Sequence, residues 1–396
     1  MKVSAVICEY NPFHLGHAYQ LRAAASPAGE KENAVIAIMS GSFTQRGEPA
    51  VLSKYQRAEI AVRLGADLVL ELPFPYSSAS AEIFGGAGVS IAHRLGCVDY
   101  LCFGSEKGDI AALQTVSDRL QSAEYQRALA AHLSDGYENA YRTSAATVYQ
   151  RLYGEDFTKN GSNDLLSLSY LSALKKYGSA ITPMTVMRKG ERYNGEGEGF
   201  ASATSIRSYL KTEHWDRIRA SVPKETANAL QKAAENGRLA DAERLYPLYA
   251  ALVRVRGKDA LEGLYDIPLE LAARCAKYIY AKNTEAYLSL CASKNYSPSR
   301  VRRAMLTALM NVRKEDVSEV PYTLVLAANE TGRALLKTIR KTSSIPVITK
   351  PADAERMDGD VARAFRLSAR ADSVWELLCD VPREGNAMIK ESPVML

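Results

Sequence analysis

Val3-Ser4-Ala5-Val6-Ile7-Cys8-Glu9-Tyr10-Asn11-Pro12-Phe13-His14-Leu15-Gly16-His17 opens with a short, nearly all-apolar run and passes through Asn11-Pro12 into a helix-forming segment. A strand buried on both faces reads as such a continuous run, and Asn-Pro marks the turn that ends it. The pattern recurs downstream. Val3 to Cys8 is followed by a helix over Gly16 to Ala25, and Ala34 to Met39 by a helix over Ser53 to Leu64 capped by Ser53. Leu68 to Leu72, stopped by Pro73, is followed by a helix over Ala79 to Arg94, and Tyr100 to Phe103 by mostly helical sequence from 109 to 178. That stretch is interrupted by the turn-like Lys159-Asn160-Gly161-Ser162, and Thr182 to Met187 reads as a fifth strand. Strands alternating with helices predict an α/β fold, a doubly wound parallel sheet.

Asn194-Gly195-Glu196-Gly197-Glu198-Gly199 is a loop by composition, either a mobile site segment or a connector, and Ser202 to Leu210 starts a further helix. Beyond about residue 215 helical periodicity dominates to Met310. The expected domains are residues 1–215 and a mainly helical, basic part, residues 222–396, with apolar runs at Leu324-Val325-Leu326 and Ile345-Pro346-Val347-Ile348.

The 396 residues, 47% apolar and 24% charged, suit two or three globular domains. The apolar runs are strand-sized, far below the roughly 18 residues that span a bilayer. The N-terminal segment meets Glu9 too soon for a secretory signal, so a cytoplasmic protein is expected. The six cysteines form no CxxC pair and the five histidines no HExxH, which argues against a zinc site or a disulfide framework.

Ligands of a parallel sheet sit at the carboxyl ends of its strands, so the loop after the first strand is where chemistry is expected. His14 and His17 stand three apart at a helix start, where free N–H groups and the helix dipole favour an anion, and Gly16 lets a phosphate approach the backbone. Two ordinary surface histidines would share the spacing; the position after strand one favours phosphate binding. No GxxxxGK[ST] and no GxGxxG after the first strand occur. Ala201-Ser202-Ala203-Thr204-Ser205-Ile206-Arg207 adds hydroxyls and a cation at a second helix start.

His-x-Gly-His after strand one resembles the nucleotidyltransferase superfamily of class I aminoacyl-tRNA synthetases and cofactor adenylyltransferases. Ile7 to His17 resembles, more closely, the bacterial tRNA(Met) cytidine acetate ligase family. So do Ser40-Gly41-Ser42-Phe43-Thr44-Gln45-Arg46-Gly47-Glu48-Pro49, Gly65-Ala66-Asp67-Leu68-Val69-Leu70-Glu71-Leu72-Pro73, Phe103-Gly104-Ser105-Glu106 and Lys294-Asn295-Tyr296-Ser297-Pro298-Ser299-Arg300-Val301-Arg302-Arg303.

The resemblance implies a nucleotidyltransferase-like Rossmann domain and an ATP-dependent ligase. Such an enzyme activates acetate as acetyl-adenylate and transfers the acetyl group to the wobble cytidine of elongator tRNA(Met), forming N4-acetylcytidine. It implies His14 and His17 as catalytic residues and magnesium arriving with ATP. The implied ATP site comprises Ile7, Cys8, Glu9, Tyr10, Asn11, Pro12, Phe13, His14, Leu15, Gly16, His17, Ala18, Tyr19, Gln20, Gly104, Asn163, Arg188 and Lys189, with Ser202, Thr204, Ser205 and Arg207 on the phosphates. Asp164 and Ser297-Pro298-Ser299 depart from the family pattern, which often has a second Asn and a more basic string there.

Two acid-free stretches offer cations for RNA: Lys294, Arg300, Arg302, Arg303, Arg313 and Lys314, with Tyr296 beside them to stack on a base, and Arg333, Lys337, Arg340, Lys341 and Lys350. Solvated basic helix faces would look similar. Lys54 reads as a surface lysine or a contact on the substrate side, and the cysteines other than Cys8 as small buried apolar groups. Two rival readings stay open: an adenylyltransferase of cofactor synthesis, and an RNA-binding protein with a vestigial nucleotide site.

Overall fold

The computed structural model describes residues 1–27, 33–134, 141–159, 161–188, 200–357, 359–385 and 390–396. Asn160, Lys189 and the loop Asn194 to Gly199 lie outside the described residues. The chain begins as alternating strands and helices: β1 (Val3–Cys8), α1 (Leu15–Ala25), β2 (Ala34–Ser40), α2 (Lys54–Arg63), β3 (Leu68–Leu72), α3 (Ala81–Arg94) and β4 (Tyr100–Ser105). Helices α4 (Ile110–Gln121), α5 (Ala123–Ser134), α6 (Tyr141–Tyr153) and α7 (Ser162–Lys176) lead to β5 (Thr182–Met187), then α8 (Ala203–Lys211) and α9 (Trp215–Ser221). The helical part holds α10 (Lys224–Glu235), α11 (Leu245–Arg256), α12 (Leu269–Lys277), α13 (Thr284–Cys291) and α14 (Pro298–Met310). β6 (Thr323–Ala328), α15 (Glu330–Thr342), β7 (Val347–Ile348), α16 (Pro351–Glu355), α17 (Gly359–Glu376) and β8 (Val394–Met395) complete it.

The sheet order is β5-β4-β1-β2-β3-β6-β7, with β8 also on β6. β1 to β5 pair in parallel, as the alternation predicts. Successive residues of β1 and β2 face opposite layers: Ala5, Ile7, Ile36 and Ile38 join one apolar core, Val6, Cys8, Val35 and Ala37 the other. Both faces are thus covered, which a run without polar alternation requires. The strand order reverses at β1, between β2 and β4. A crevice therefore opens at the carboxyl ends of β1 and β4.

The helical half also contributes to this sheet. β6 pairs antiparallel with β3, Leu68 opposite Ala328. All six residues of Thr323-Leu324-Val325-Leu326-Ala327-Ala328 are buried, and such a run is best enclosed inside a sheet.

Lys54 is not a surface lysine. Its side chain is 2% exposed, and its Nζ lies 2.9 Å from Glu71 on β3 and 2.9 Å from Asp372 on α17. Burial alone would push this ammonium down, but the two carboxylates outweigh it and hold it above its ordinary range. Burial pushes Glu71 up to about 7 against the pull of Lys54. Ser42 Oγ donates to Asp372 at 2.5 Å, so the network ties the loop after β2 to the C-terminal helix. Replacing Lys54 by Met leaves the buried Glu71 and the half-buried Asp372 unbalanced and is expected to cost about 3–5 kcal/mol by urea denaturation. Adding Glu71→Gln and Asp372→Asn should restore more than half. A triple variant no more stable than the single one would show that the ion network is not the source.

Candidate nucleotide site

Capping sets the chemistry of the two histidines. His14 is the N-cap of α1, and its Nδ1 accepts the Gly16 N–H at 3.0 Å, while His17 Nδ1 accepts the His14 N–H at 3.2 Å. A neutral imidazole with an accepting Nδ1 carries its proton on Nε2. The capping box therefore fixes the same tautomer in both rings, each with one free Nε2–H donor. The rings stack with centroids 3.7 Å apart. Burial first, and Arg188 second, hold His14 down to about 4. Burial, then His14 and Arg188, hold His17 well below its usual value. Both rings are neutral donors at neutral pH, able to bind an oxyanion without changing protonation.

They border a cavity of about 450 Å³, within the range of small-molecule sites. Ile7, Cys8, Glu9, Asn11, Gly16, Tyr19 and Gln20 line it with them. Tyr10, Pro12, Phe13, Leu15 and Ala18 stand behind the lining. Tyr10, at φ 49, turns the chain out of β1, and its ring and that of Phe13 pack on His17 at 4.9 and 5.6 Å. Asn11 is structural in its side chain: Oδ1 accepts the Val51 N–H and Nδ2 donates to the Pro49 carbonyl. Burial pushes the Cys8 thiol far up, so it is no ready nucleophile.

Gly104, Asn163 and Arg188 line the cavity on the β4 and β5 side. Glu106 accepts from the backbone N–H groups of Asn163 and Asp164 and from Asn163 Nδ2, leaving the Asn163 amide oxygen for a ligand. Asp164 in turn accepts the Glu106 N–H, a structural use for the departure from the family pattern. Arg188 is exposed and makes no ion pair among the described residues. Of the segment Ala201 to Arg207, Ser202, Thr204 and Arg207 line the cavity. Ser205 stands behind, its N–H and hydroxyl on Ser202 Oγ. Arg207 is already engaged, by Asn11 O at 2.9 Å and by Glu48 at 2.7 Å.

Thr44, Gln45, Arg46, Glu48, Ala81, Phe84 and Tyr170, to which sequence reasoning gave no role, also line the cavity, with Tyr170 of α7 packed on Phe103 of β4. The Gln45 N–H donates to Glu9 at 2.6 Å, and burial raises the Glu9 carboxyl despite this bond and the nearby Arg207 and Arg46. The polar loop after β2, quoted above only for its resemblance, was the available signal.

The basic residues separate in space. Arg302 pairs with Glu48 at 3.3 Å on the cavity rim, and Arg300 and Arg303 pair with Asp266. A stretch free of acids in sequence is thus partly neutralised in the fold, while Lys294 stays exposed. Tyr296 is only 5% exposed and donates to Glu270, so its ring is enclosed and cannot stack on a base as expected. Lys337, Arg340 and Lys341 are exposed on α15. That helix starts on Asp67, just before β3, and ends on Leu95, just before β4. It crosses the amino edge of the sheet, about 20 Å from the cavity edge at 3.3 Å per strand residue.

Among the described residues, no three His, Cys, Asp or Glu side chains converge as a metal site, and no helix is long and apolar enough to cross a membrane.

Residues 1–388 match the family described as HIGH Nucleotidyl Transferase. The tRNA(Met) cytidine acetate ligase of Caldanaerobacter subterraneus subsp. tengcongensis is 35% identical over 395 residues, 95% of each chain. That of Acetivibrio thermocellus is 33% identical over 372 residues, 89% of each chain. Two crystal structures of Thermotoga maritima TmcAL, one apo and one bound with alpha-thio ATP, superpose with TM-scores of 0.91 and 0.88 at 30% identity, covering both chains fully. A likeness in sequence and fold that runs from end to end places this chain in the HIGH nucleotidyl transferases, among the tRNA(Met) cytidine acetate ligases.

Proposed function

We propose that the chain is an ATP-dependent ligase that activates acetate as acetyl-adenylate and transfers the acetyl group to the wobble cytidine of elongator tRNA(Met). The observation that carries this reading is the stacked pair of Nε2–H donors at the head of α1, with Arg188 beside them. A carboxylate oxygen of acetate attacks the α-phosphorus of ATP, that bond forms, and the bond to pyrophosphate breaks. His14 and His17 donate to the oxygens on which charge grows, and Arg188 offers a charge-assisted contact. The cytidine amine then attacks the acetyl carbon, the bond to AMP breaks and the amine loses a proton. Pre-set neutral donors need no reorganisation during the first step, and the buried thiol of Cys8 is not required in the second.

Ser202 and Thr204 suit the departing phosphates, and Asn163 and Gly104 the nucleoside. Magnesium would enter as the ion that ATP carries on its own phosphate oxygens. The names of the relatives supply acetate and tRNA(Met). A tRNA substrate puts the enzyme in the cytoplasm, and the α14 cations near the rim suit its approach.

Acetate-dependent ATP–pyrophosphate exchange tests the first step. His14→Ala and His17→Ala should each lower it about 10²–10³-fold, as loss of a transition-state donor does, while the protein still unfolds cooperatively with no more than about 2 kcal/mol lost with the cap. Full activity in the double variant would refute the assignment. Arg188→Ala should raise the KM for ATP about tenfold with a smaller effect on kcat.

The depressed His14 also predicts a pH effect on stability. Below its ordinary 6.5 the unfolded chain takes up a proton that the folded chain refuses until about 4. Stability from this group is therefore complete above pH 6.5 and declines as pH falls, by roughly 2–3 kcal/mol near pH 4.5. Urea denaturation of His14→Gln should show that much less loss between about pH 7 and 4.5; an unchanged pH slope would contradict it.

A further inference from the structure

Where α12 ends, Arg274-Cys275-Ala276-Lys277-Tyr278-Ile279-Tyr280-Ala281-Lys282 interleaves cations with aromatic rings. Ile279 is 4% exposed and fixes the inward side of this turn, while Tyr280 stands 75% exposed. The Arg254 guanidinium, from the last turn of α11, lies 4.8 Å from the centre of the Tyr280 ring. It is held there by its hydrogen bond to the Ile279 carbonyl at 3.2 Å. Lys277 lies 5.3 Å from the ring of Tyr278. The cations here differ from those of α14. Among the described residues, Arg254, Arg256, Lys277 and Lys282 make no ion pairs, and all four are exposed, whereas Arg300, Arg302 and Arg303 are paired with acids.

An exposed aromatic ring braced by a guanidinium and flanked by unpaired cations is how proteins hold unpaired nucleotides: bases stack on rings, and cations take the phosphates. The patch also belongs to the part of the fold that adjoins the cavity. Glu243, just before α11, pairs with Lys211 of α8, the helix that begins at the Ser202 phosphate segment. α14, packed on α11, reaches Glu48 on the rim through Arg302. Arg254 lies nine residues beyond Leu245, about 14 Å along the helix axis at 1.5 Å per residue. Lys211 likewise lies nine residues beyond Ser202, about 14 Å along α8, so the path from the cavity to the patch is on the order of 30 Å, within the span of an RNA stem-loop with one base in the cavity.

We infer that Tyr280, braced by Arg254, is a stacking platform for an unpaired base of the RNA substrate, with Lys277, Lys282 and Arg256 taking adjacent phosphates. The inference rests on the RNA-modifying reading above. It assigns RNA contact to a surface distinct from the α15 face, which lies at the far edge of the sheet.

The experiment uses the full chain and a transcript of elongator tRNA(Met). ATP-dependent transfer of labelled acetate to the transcript by the unaltered protein tests the proposed function by itself; if that transfer is absent, the RNA-modifying reading fails and the platform fails with it. Given transfer, Tyr280→Ala should raise the KM and Kd for the transcript about tenfold, equal to about 1.4 kcal/mol, with acetate-dependent ATP–pyrophosphate exchange unchanged. Tyr280→Phe should retain binding, because the ring and not the hydroxyl does the stacking. Lys277→Glu with Lys282→Glu should weaken binding and flatten the slope of log Kd against log salt by about 1.4, the value for two phosphate contacts on a single strand. A Tyr280→Ala protein with an unchanged melting curve and unchanged KM and Kd would overturn the inference. So would a dimer of the unaltered chain that Tyr280→Ala dissociates while RNA affinity stays the same, which would make the patch a self-association surface.

Discussion

Arg57 is the interaction on which the geometry of the cavity depends. Its side chain is fully buried on α2 without a carboxylate partner among the described residues. Nε donates to the Leu52 carbonyl at 3.2 Å, Nη1 to Glu9 at 2.6 Å and Ser40 at 3.1 Å, and Nη2 to Gly41. Burial lowers the guanidinium to about 10, which leaves it charged at neutral pH. Carbonyl oxygens without partners at the ends of β1 and β2 would be costly inside the fold. One planar cation with several fixed donors satisfies them together, and so clamps the two loops that carry the histidines and the Thr44 to Glu48 wall. A lysine could not reproduce that fork.

With the loops fixed, small local rules determine the chemistry. The histidines serve first as caps, and capping selects their tautomer. Their low basicity follows from burial and from Arg188, so the cavity presents neutral donors and one exposed guanidinium. Glu106 supports the other end of the cavity in the same way, holding the head of α7 so that Asn163 faces inward. In both places a polar group needed to complete a helix end also presents a binding group.

Much of this was legible in the sequence because it is local. The β1 to β5 alternation, the cap at Ser53, the turn at Asn11-Pro12 and the two helix starts facing the cavity follow from patterns within about ten residues. What escaped depends on contacts across the chain. Lys54 and Arg57 look like the solvated charges of an amphipathic helix, and only the packing of β3 and α17 against α2 encloses them. Tyr296 reads as an exposed ring beside cations, but Glu270, distant in sequence, takes its hydroxyl. The antiparallel return of β6 was visible as an apolar run, yet its partner strand lies more than two hundred residues away, and no periodicity encodes that pairing. The acid-free stretch around α14 shows the same limit, since Glu48 and Asp266, distant in sequence, neutralise it in three dimensions.

The return of the C-terminal half to the sheet gives the two halves a common rim. Glu48 accepts Arg207 from α8 and Arg302 from α14, so one carboxylate joins a cation of the cavity wall to the helical layer. Gly47, at φ 75, lies so close that a Cβ there would come within 2.9 Å of the Arg303 backbone nitrogen. The loop therefore cannot move without disturbing the start of α14. Because two guanidiniums share one carboxylate, a displacement of either changes the electrostatic balance that the other meets at this rim.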